Sequence, residues 1–373
     1  MSEAPGQVLG RIEQELRRYL SSPPPPGELP TAHASTRNLV VIGGAPEITS
    51  RWVAVVDEVL KVIPARAIVV GLEDPEGPDS LEANSSAVSS PGEGGGPVVC
   101  SERVTMIARG AVCERLASCV EMLCASDVPT TLVWIGRVHT DDPTFEPLAR
   151  DADRIILDAG HGSLASLAQV VHWAGSLPGS DRPGVADLAW TRLAPWQELC
   201  ARIFDEPNLR ELATKISRIA ITQASPPGVA LGSDGGLMLG WLATRLGLKA
   251  TSLAGKLRLV RPNEGAVRLD LRAQPAARNP RGALCGLEIE ARTGELALRA
   301  TITCEKDDAD KALWHRDIES GSKRESIEQR VRLRSSEAAP LLERTLRRPR
   351  YDQTLAESAT WADELRDEEV TCG

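Results

Sequence analysis

The chain has 373 residues, 42% of them hydrophobic and 25% charged, which is an ordinary make-up for a globular protein with room for two cores. A net charge of −9 argues against nucleic acid or an anionic membrane surface as the main partner, and an aromatic content of only 3% leaves large contact surfaces to few residues, most of them Trp. No apolar run approaches the ~18 residues that span a bilayer. Residues 1–20 lack a signal-peptide core, and the eight cysteines form no C-x-x-C pair and no zinc spacing. The expectation is a cytoplasmic protein with no membrane and no nucleic-acid partner, and with no metal or cofactor.

Ile12, Leu16, Tyr19 and Leu20 predict a short amphipathic helix, ended by Ser21-Ser22 and the run Pro23–Pro26, a semi-rigid linker. Asn38–Ile42 is an apolar run followed by Gly43-Gly44. Pro46 then opens a helix whose Ile48, Trp52, Val55, Val56, Val59, Leu60 and Ile63 share one face, and Ala67–Leu72 is a second apolar run. This strand–helix–strand unit implies parallel strands. The fingerprint G-x-G-x-x-G is absent from its first turn, where only G-G-A-P-E stands. Glu47 sets a negative charge where a phosphate would sit, so a tight βα turn is the better reading. Glu73–Pro97, rich in Gly, Pro, Ser and acids, reads as a mobile surface loop.

Val98–Ala108 reads as a strand and Ala111–Cys124 as a helix. Cys113 and Cys124 share a face of that helix, but eleven residues at ~1.5 Å each separate them by roughly 16 Å, too far to bridge. They and Cys119 are expected to be packing residues. Thr130–Ile135 and Asp153–Asp158 are further strands, the second followed by Gly160-His161-Gly162 and a helix over Ser163–Trp173. His161, at the carboxyl end of a strand, is the best placed His for chemistry in an open α/β sheet. It has no neighbouring nucleophile, and His139, His161 and His172 lack metal-ligand spacing, so a loop or capping role is expected.

The most distinctive stretch runs from Asp187 to Asp205, D-L-A-W-T-R-L-A-P-W-Q-E-L-C-A-R-I-F-D. Leu193, Trp196, Leu199, Cys200, Ile203 and Phe204 fall on one helical face. Pro195 is expected in the first turn, where a missing N–H costs least, with Trp190 just before the helix at the end of a strand over Val185–Leu188. Two readings stand side by side: a buried hinge between domains, since aromatic stripes are usually core, or a docking surface built or supported by Trp190, Arg192, Pro195 and Trp196, since Trp and Arg are the usual interface anchors.

Ile216–Thr222 predicts a strand and Ser233–Leu246 a helix capped by Asp234 and stopped by Gly247. The period then changes to two: Val267/Leu269/Leu271, Leu287/Ile289, Leu296/Leu298/Ile302 and Ile327/Val331/Leu333 alternate with charged residues, predicting an antiparallel sheet with one buried face. A hairpin turn at Thr293-Gly294 sets Cys285 opposite Ile302 and makes Cys304 its diagonal neighbour, the one pair worth testing for reversible oxidation. Glu305–Glu325 reads as a charged, turn-rich excursion, and the segment from Ala338 as a charged tail, helical in places. The fold class is therefore α/β plus α+β. Residues 1–34 are helix and linker. Residues 35–180 form a Rossmann-like βαβ domain with a mostly parallel sheet, and 181–335 a domain with an antiparallel sheet covered by helices on one face. Residues 336–373 are the tail.

No G-x-S-x-G, P-loop, paired-carboxylate motif or metal cluster is present, so no catalytic residue is assigned. The segments S-T-R-N-L-V-V at 35–41, P-A-R-A-I-V-V at 64–70, V-V-C-S-E-R-V-T at 98–105, V-P-T-T-L-V-W at 128–134, D-L-A-W-T-R-L-A-P-W at 187–196 and G-W-L-A-T-R-L-G at 240–247 resemble, in the same order, the glucose-6-phosphate dehydrogenase assembly protein family, OpcA. The resemblance implies a non-catalytic helper that binds glucose-6-phosphate dehydrogenase, favours its active oligomer and so controls the first step of the oxidative pentose phosphate pathway. It also implies, from cyanobacterial members, a thioredoxin-sensitive cysteine pair, which no residue-by-residue match locates here. The alternatives are an NAD(P)- or nucleotide-sugar-binding enzyme with a degenerate fingerprint, and a metabolite-sensing domain.

Overall fold

Asn38–Gly44 (β2) and Arg66–Leu72 (β3) are buried almost from end to end, which is why they read as near-continuous apolar runs: a central parallel strand is covered on both faces. The computed structural model describes residues 4–21, 31–33, 35–90, 98–253, 256–261, 265–275, 282–305, 308 and 310–365. The expected Pro23–Pro26 linker lies outside them. The chain divides into two units, one made of residues 1–162, 173–187 and 337–351, the other of 163–172, 188–336 and 352–373.

The first unit is built on a sheet of β2, β3, Ser80–Ser90 (β4), Val98–Arg109 (β5), Thr130–Trp134 (β6), Arg154–Leu157 (β7) and Gly184–Asp187 (β8), with the short Thr31–His33 (β1) beside the start of β5. The strand order β5-β3-β2-β6-β7-β8 is parallel throughout, and it reverses direction of progression between β2 and β6, the doubly wound arrangement. Helix Pro5–Ser21 (α1) buries Val8, Leu9, Ile12 and Leu16, as its spacing predicts. The helix after β2 has three contiguous parts, Ala45–Glu47 (α2), a π-helical turn Ile48–Trp52 and Val53–Leu60 (α3). Leu116–Leu123 (α4) and Phe145–Asp151 (α5) follow, and Leu164–Ser176 (α6) has residues in both units.

One expectation fails here. The supposed loop 73–97 contains β4, which runs antiparallel along β5 from Leu81↔Ala108 to Ser89↔Cys100. Strand pairing uses main-chain groups that every residue carries, and an edge strand needs few apolar side chains. Leu81 is the buried one, and α1 lies against the strand, with Ser85 donating to Glu15 at 2.6 Å.

The second unit carries Leu188–Arg202 (α7), Ile216–Ala224 (β9), Ser233–Leu246 (α8), Lys249–Leu253 (β10), Lys256–Arg261 (β11), Gly265–Gln274 (β12), Leu284–Thr293 (β13), Leu296–Cys304 (β14), Lys311–Ser320 (β15) and Lys323–Arg332 (β16). Its sheet has the order β10-β11-β12-β9-β13-β14-β15-β16 and is antiparallel except where β9 pairs with β12. Leu271, Ile221, Leu287, Ile302 and Trp314 are register partners in one row across the sheet. α7 and α8 pack on that face, and Gln353–Glu364 (α10) packs on α8, with Trp361 Nε1 donating to the Leu248 carbonyl at 3.1 Å. The other face is a lattice of charges: Arg218 meets Asp270 at 2.7 Å and Glu290 at 2.8 Å, and Arg299 meets Glu288 at 2.6 Å.

Two further segments hide buried positions among their charges. The excursion 305–325 is mostly the hairpin β15–β16, a correction, and the tail after 336, expected to be helical in places, forms helices Ala338–Arg347 (α9) and α10. In β15 the inward positions are Ala312, Trp314, Arg316 and Ile318, and a buried arginine in the row hides the alternation. The tail's charges likewise mask Leu341, Leu342 and Leu346 on α9 and Leu355, Ala359 and Trp361 on α10, all buried.

Candidate functional site

Helix α7 starts at Leu188, immediately after β8, so Trp190 lies within its first turn and Pro195 in its interior. The expectation that Pro195 opens the helix is thus corrected. Pro195 cannot donate to the Thr191 carbonyl, a loss worth about 3 kcal/mol in an isolated helix. Burial of Ala189, Leu193, Trp196 and Cys200 along one stripe offsets it.

Side chains from three other elements pin α7. Trp190, 3% exposed, donates from Nε1 to Asp352 Oδ2 at 2.8 Å, and the other oxygen of Asp352 accepts from Leu355 N at 3.0 Å as the N-cap of α10. Arg192 forks onto Asp234, Nε to Oδ2 at 3.0 Å and Nη2 to Oδ1 at 2.7 Å. Trp314 Nε1 donates to the Leu199 carbonyl at 3.1 Å, and Arg316 donates to the Ile203 carbonyl while pairing with Glu206. The last two satisfy carbonyls that a helix end leaves without a partner. Asp234 is therefore not the N-cap of α8, a position held by Gly232; it is the buried counter-ion of Arg192.

The structure brings Trp190, Arg192, Pro195 and Trp196 onto one helix and places Trp190, Pro195 and Trp196 inside the second unit rather than on its surface. The side chains that hold α7 and the turn after it, Asp234, Asp352, Trp314 and Arg316, were not singled out as such by sequence reasoning. Only Asp352 carried a usable signal, an Asp just ahead of a helical apolar stripe.

In the first unit, polar groups gather at the carboxyl ends of β2, β7 and β8. Asp187, fully buried, accepts from Ala159 N at 2.7 Å and so shapes the turn after β7. Asp158 then accepts from His161 Nδ1 at 2.7 Å. The far ring nitrogen faces Arg51 Nη1 at 3.2 Å and Glu47 Oε1 at 3.9 Å. Glu47 also accepts from Trp52 Nε1 at 3.3 Å across the π-helical turn, which carries Arg51 toward the histidine. The Asp158 carboxylate holds the His161 imidazole above its ordinary range, against the opposing effects of burial and Arg51. The dyad orients an imidazole, but no Ser or Cys nucleophile is recorded in contact with it among the described residues. Nor, among them, is there a group of three or more His, Cys, Asp and Glu residues that could hold a metal ion, or a helix long and apolar enough to cross a membrane.

The cysteine expectation shifts by two residues along β13. The two-residue hairpin loop is Gly294-Glu295, with the positive φ of 53° on Gly294, not Thr293-Gly294. Leu287 therefore faces Ile302 and Gly286 faces Thr303, the last pair of the ladder, and Cys285 follows at an irregularity in the pairing of β13 with β9. Cys285 is buried and Cys304 half-buried, and neither is in a disulfide. Burial raises the thiol pKa of Cys124 to about 11 and of Cys200 to about 12, so neither is a ready nucleophile.

Residues 56–172 match the family described as the N-terminal domain of the glucose-6-phosphate dehydrogenase subunit, and residues 183–359 the family described as the C-terminal domain of the same subunit. The chain is 26% identical over 285 residues to the OxPP cycle protein OpcA of Synechocystis sp., a match covering 69% of this chain and 55% of that protein. It is 31% identical over 155 residues to the protein of the same name from Nostoc punctiforme, covering 40% and 30%. The matches thus span about half or less of these relatives' length. Among solved structures, glucose-6-phosphate 1-dehydrogenase from Mycobacterium avium aligns over 91% of this chain and 94% of its own with a TM-score of 0.52 and 13% identity, a likeness of fold alone.

Proposed function

This chain belongs to the OpcA family of glucose-6-phosphate dehydrogenase assembly proteins, and from that membership we propose that it is a non-catalytic partner that binds glucose-6-phosphate dehydrogenase and favours its active oligomer. It acts in the cytoplasm, on the NADPH-yielding entrance to the oxidative pentose phosphate pathway. The observation that carries this reading is the ordered match of two domains, each described as part of a subunit of that enzyme, over most of the chain. A helper of this kind needs no reactive group. It needs a surface with higher affinity for one state of the enzyme than for another.

Helix α7 is a buried support of the second unit. Trp190, Arg192, Pro195 and Trp196 fix the position of the residues around them, and their burial fits the supporting half of the docking expectation rather than direct contact. The alternative, an NAD(P)- or nucleotide-sugar-using enzyme, draws on the doubly wound strand order. Glu47 and Asp158 at the carboxyl ends of the strands weigh against it, since they put negative charge where a pyrophosphate would lie. Mixing the purified chain with purified glucose-6-phosphate dehydrogenase and measuring complex formation by sedimentation tests the proposal. A co-sedimenting species supports it. Independent sedimentation at micromolar concentrations of both, together with thermal stabilisation of the chain by NADP, favours the alternative.

A further inference from the structure

β4 forms a rim of the first unit's sheet: among the described residues it pairs with β5 alone. A strand paired on one side leaves the N–H and C=O groups of alternate residues without a strand partner, and proteins ordinarily keep such rims short, charged or bulged so that nothing pairs with them. The strands at the other margins follow that rule. β1 has three residues, β8 four and β10 five, and β16 carries six charged residues in ten, K-R-E-S-I-E-Q-R-V-R. β4 does not follow it. Its 11 residues, S-L-E-A-N-S-S-A-V-S-S, hold no Pro and a single charge, Glu82, which is already paired with Arg109 at 2.6 Å. Its register on β5 runs from Ser80↔Arg109 to Ser90↔Val99 without a bulge.

Helix α1 runs along this rim and sets one charge of each sign beside it. Arg11 Nη2 donates to the Ala83 carbonyl at 3.2 Å, and Glu15 accepts from Ser85 Oγ at 2.6 Å. One helical turn of ~6 Å thus matches two strand residues of ~3.3 Å each. Arg11 and Glu15 pair with each other at 3.1 Å, and their side chains stay 42% and 32% exposed. A second copy pairing antiparallel along β4 extends the sheet about a two-fold axis normal to it, so that both α1 helices lie on one face. With the axis at Ser85, Glu15 meets its own copy; with the axis at Ala83, Arg11 does. With Asn84 on the axis, Ala83 stands opposite Ser85 of the second copy, each Arg11 faces the other copy's Glu15, and Glu82 faces Ser86 rather than another acid. Asn84, exposed here, then meets Asn84, a side chain that both donates and accepts. The charges select that one register, and its paired stretch, 80–88, is roughly 30 Å long.

We propose that β4 is a self-docking strand: two copies of this chain join antiparallel along it, with Asn84 on the two-fold axis and Arg11 of each copy paired with Glu15 of the other. Main-chain hydrogen bonds supply the attraction, and the charge pairs fix the register. Both rims are folded before they meet, so the contact is free of the ordering cost that a loose peptide pays when it adds as a strand. The contact goes beyond the partner reading above and does not depend on it, because the chain makes it alone.

The test is sedimentation velocity of the full-length chain alone, from nanomolar to high micromolar concentration, with hydrogen exchange of the 80–90 peptide read at both extremes. Wild type is expected to dimerise with rising concentration, and exchange in that peptide to slow as it does. N84K and N84D each set like charges against each other on the axis and are expected to weaken the dimer about tenfold or more, while an equal mixture of the two restores it as a mixed dimer. R11E and E15R are each expected to weaken it, and R11E/E15R, which exchanges the charges within every copy, to regain it. K323E, on β16, serves as the control and should leave the dimer unchanged. Circular dichroism melts identify any variant that fails to fold; if the Asn84 variants do, the Arg11 and Glu15 set decides. A chain that stays monomeric at every concentration overturns the inference. So does a dimer that both Asn84 variants leave intact, or an N84K and N84D mixture that stays monomeric. A monomeric chain whose binding to glucose-6-phosphate dehydrogenase is lost in N84K overturns a second copy as the occupant and gives the rim to a strand of the other protein.

Discussion

Trp196→Ala separates a buried support from a surface contact. Trp196 is 4% exposed, so nearly all of a side chain of ~200 Å² is removed from water. At ~25 cal/mol per Å² that burial is worth about 5 kcal/mol, and large-to-small replacements of aromatic core residues cost about 3–5 kcal/mol. The two figures agree closely enough to set the expected loss near 4 kcal/mol. In a unit of this size that lowers Tm by on the order of 10 °C. The assay is a thermal and urea melt followed by near-UV circular dichroism, alongside binding to glucose-6-phosphate dehydrogenase at a temperature where the variant is still folded. The account expects a large drop in Tm and a smaller, indirect loss of binding. An unchanged Tm with abolished binding refutes it, because Trp196 would then have to be an exposed contact residue.

Arg192→Ala leaves Asp234 buried without its counter-ion and is expected to cost about 3–5 kcal/mol by urea denaturation, while Arg192→Met/Asp234→Asn costs less than the sum of the singles; additive costs would show that the pair is not coupled. His161 titrates above the ordinary value because of Asp158. Its contribution to stability is therefore complete below the ordinary imidazole value near 6.5 and is lost as pH rises through the raised folded value. Asp158→Asn should move the NMR titration midpoint of His161 back toward 6.5 and flatten the pH dependence of stability in that window, and an unmoved midpoint contradicts the assignment. A disulfide needs Cα atoms within about 7 Å. Cys285 and Cys304 both lie at the end of the β13–β14 ladder, and mild oxidation should join them in preference to other pairs, read by peptide mass; both thiols staying fully alkylatable would show that they do not come within bonding range.

The first unit was legible because its strands are central and buried on both faces, so Leu39–Ile42 and Ala67–Val70 announce themselves. β4 was not legible, since an edge strand can be polar and its pairing is made by main-chain groups. The alternation in β12, β13 and β14 read correctly as a sheet with one buried face. Arg316, pointing inward to hold the end of α7, concealed β15 by breaking the same rule. The helical stripe of α7 was evident, but its start was not, because Pro195 mimics a first-turn residue and only tertiary burial keeps it in the interior. Arg192 and Asp234 were each noticed, yet nothing in their spacing of forty-two residues tells that they meet. A shift of one residue in the hairpin loop moved the partner of Ile302 from Cys285 to Leu287, which shows how far register depends on where a turn begins.

The central claim is that this chain acts on another protein and not on a small substrate. Its most direct test is the specific activity and sedimentation profile of purified glucose-6-phosphate dehydrogenase titrated with the purified chain. The account predicts a saturable rise in activity together with a shift of the enzyme toward a larger species containing both proteins, and no turnover by the chain alone. An enzyme whose activity and size are the same at every concentration of the chain, or turnover of a sugar phosphate with NADP by the chain alone, contradicts it.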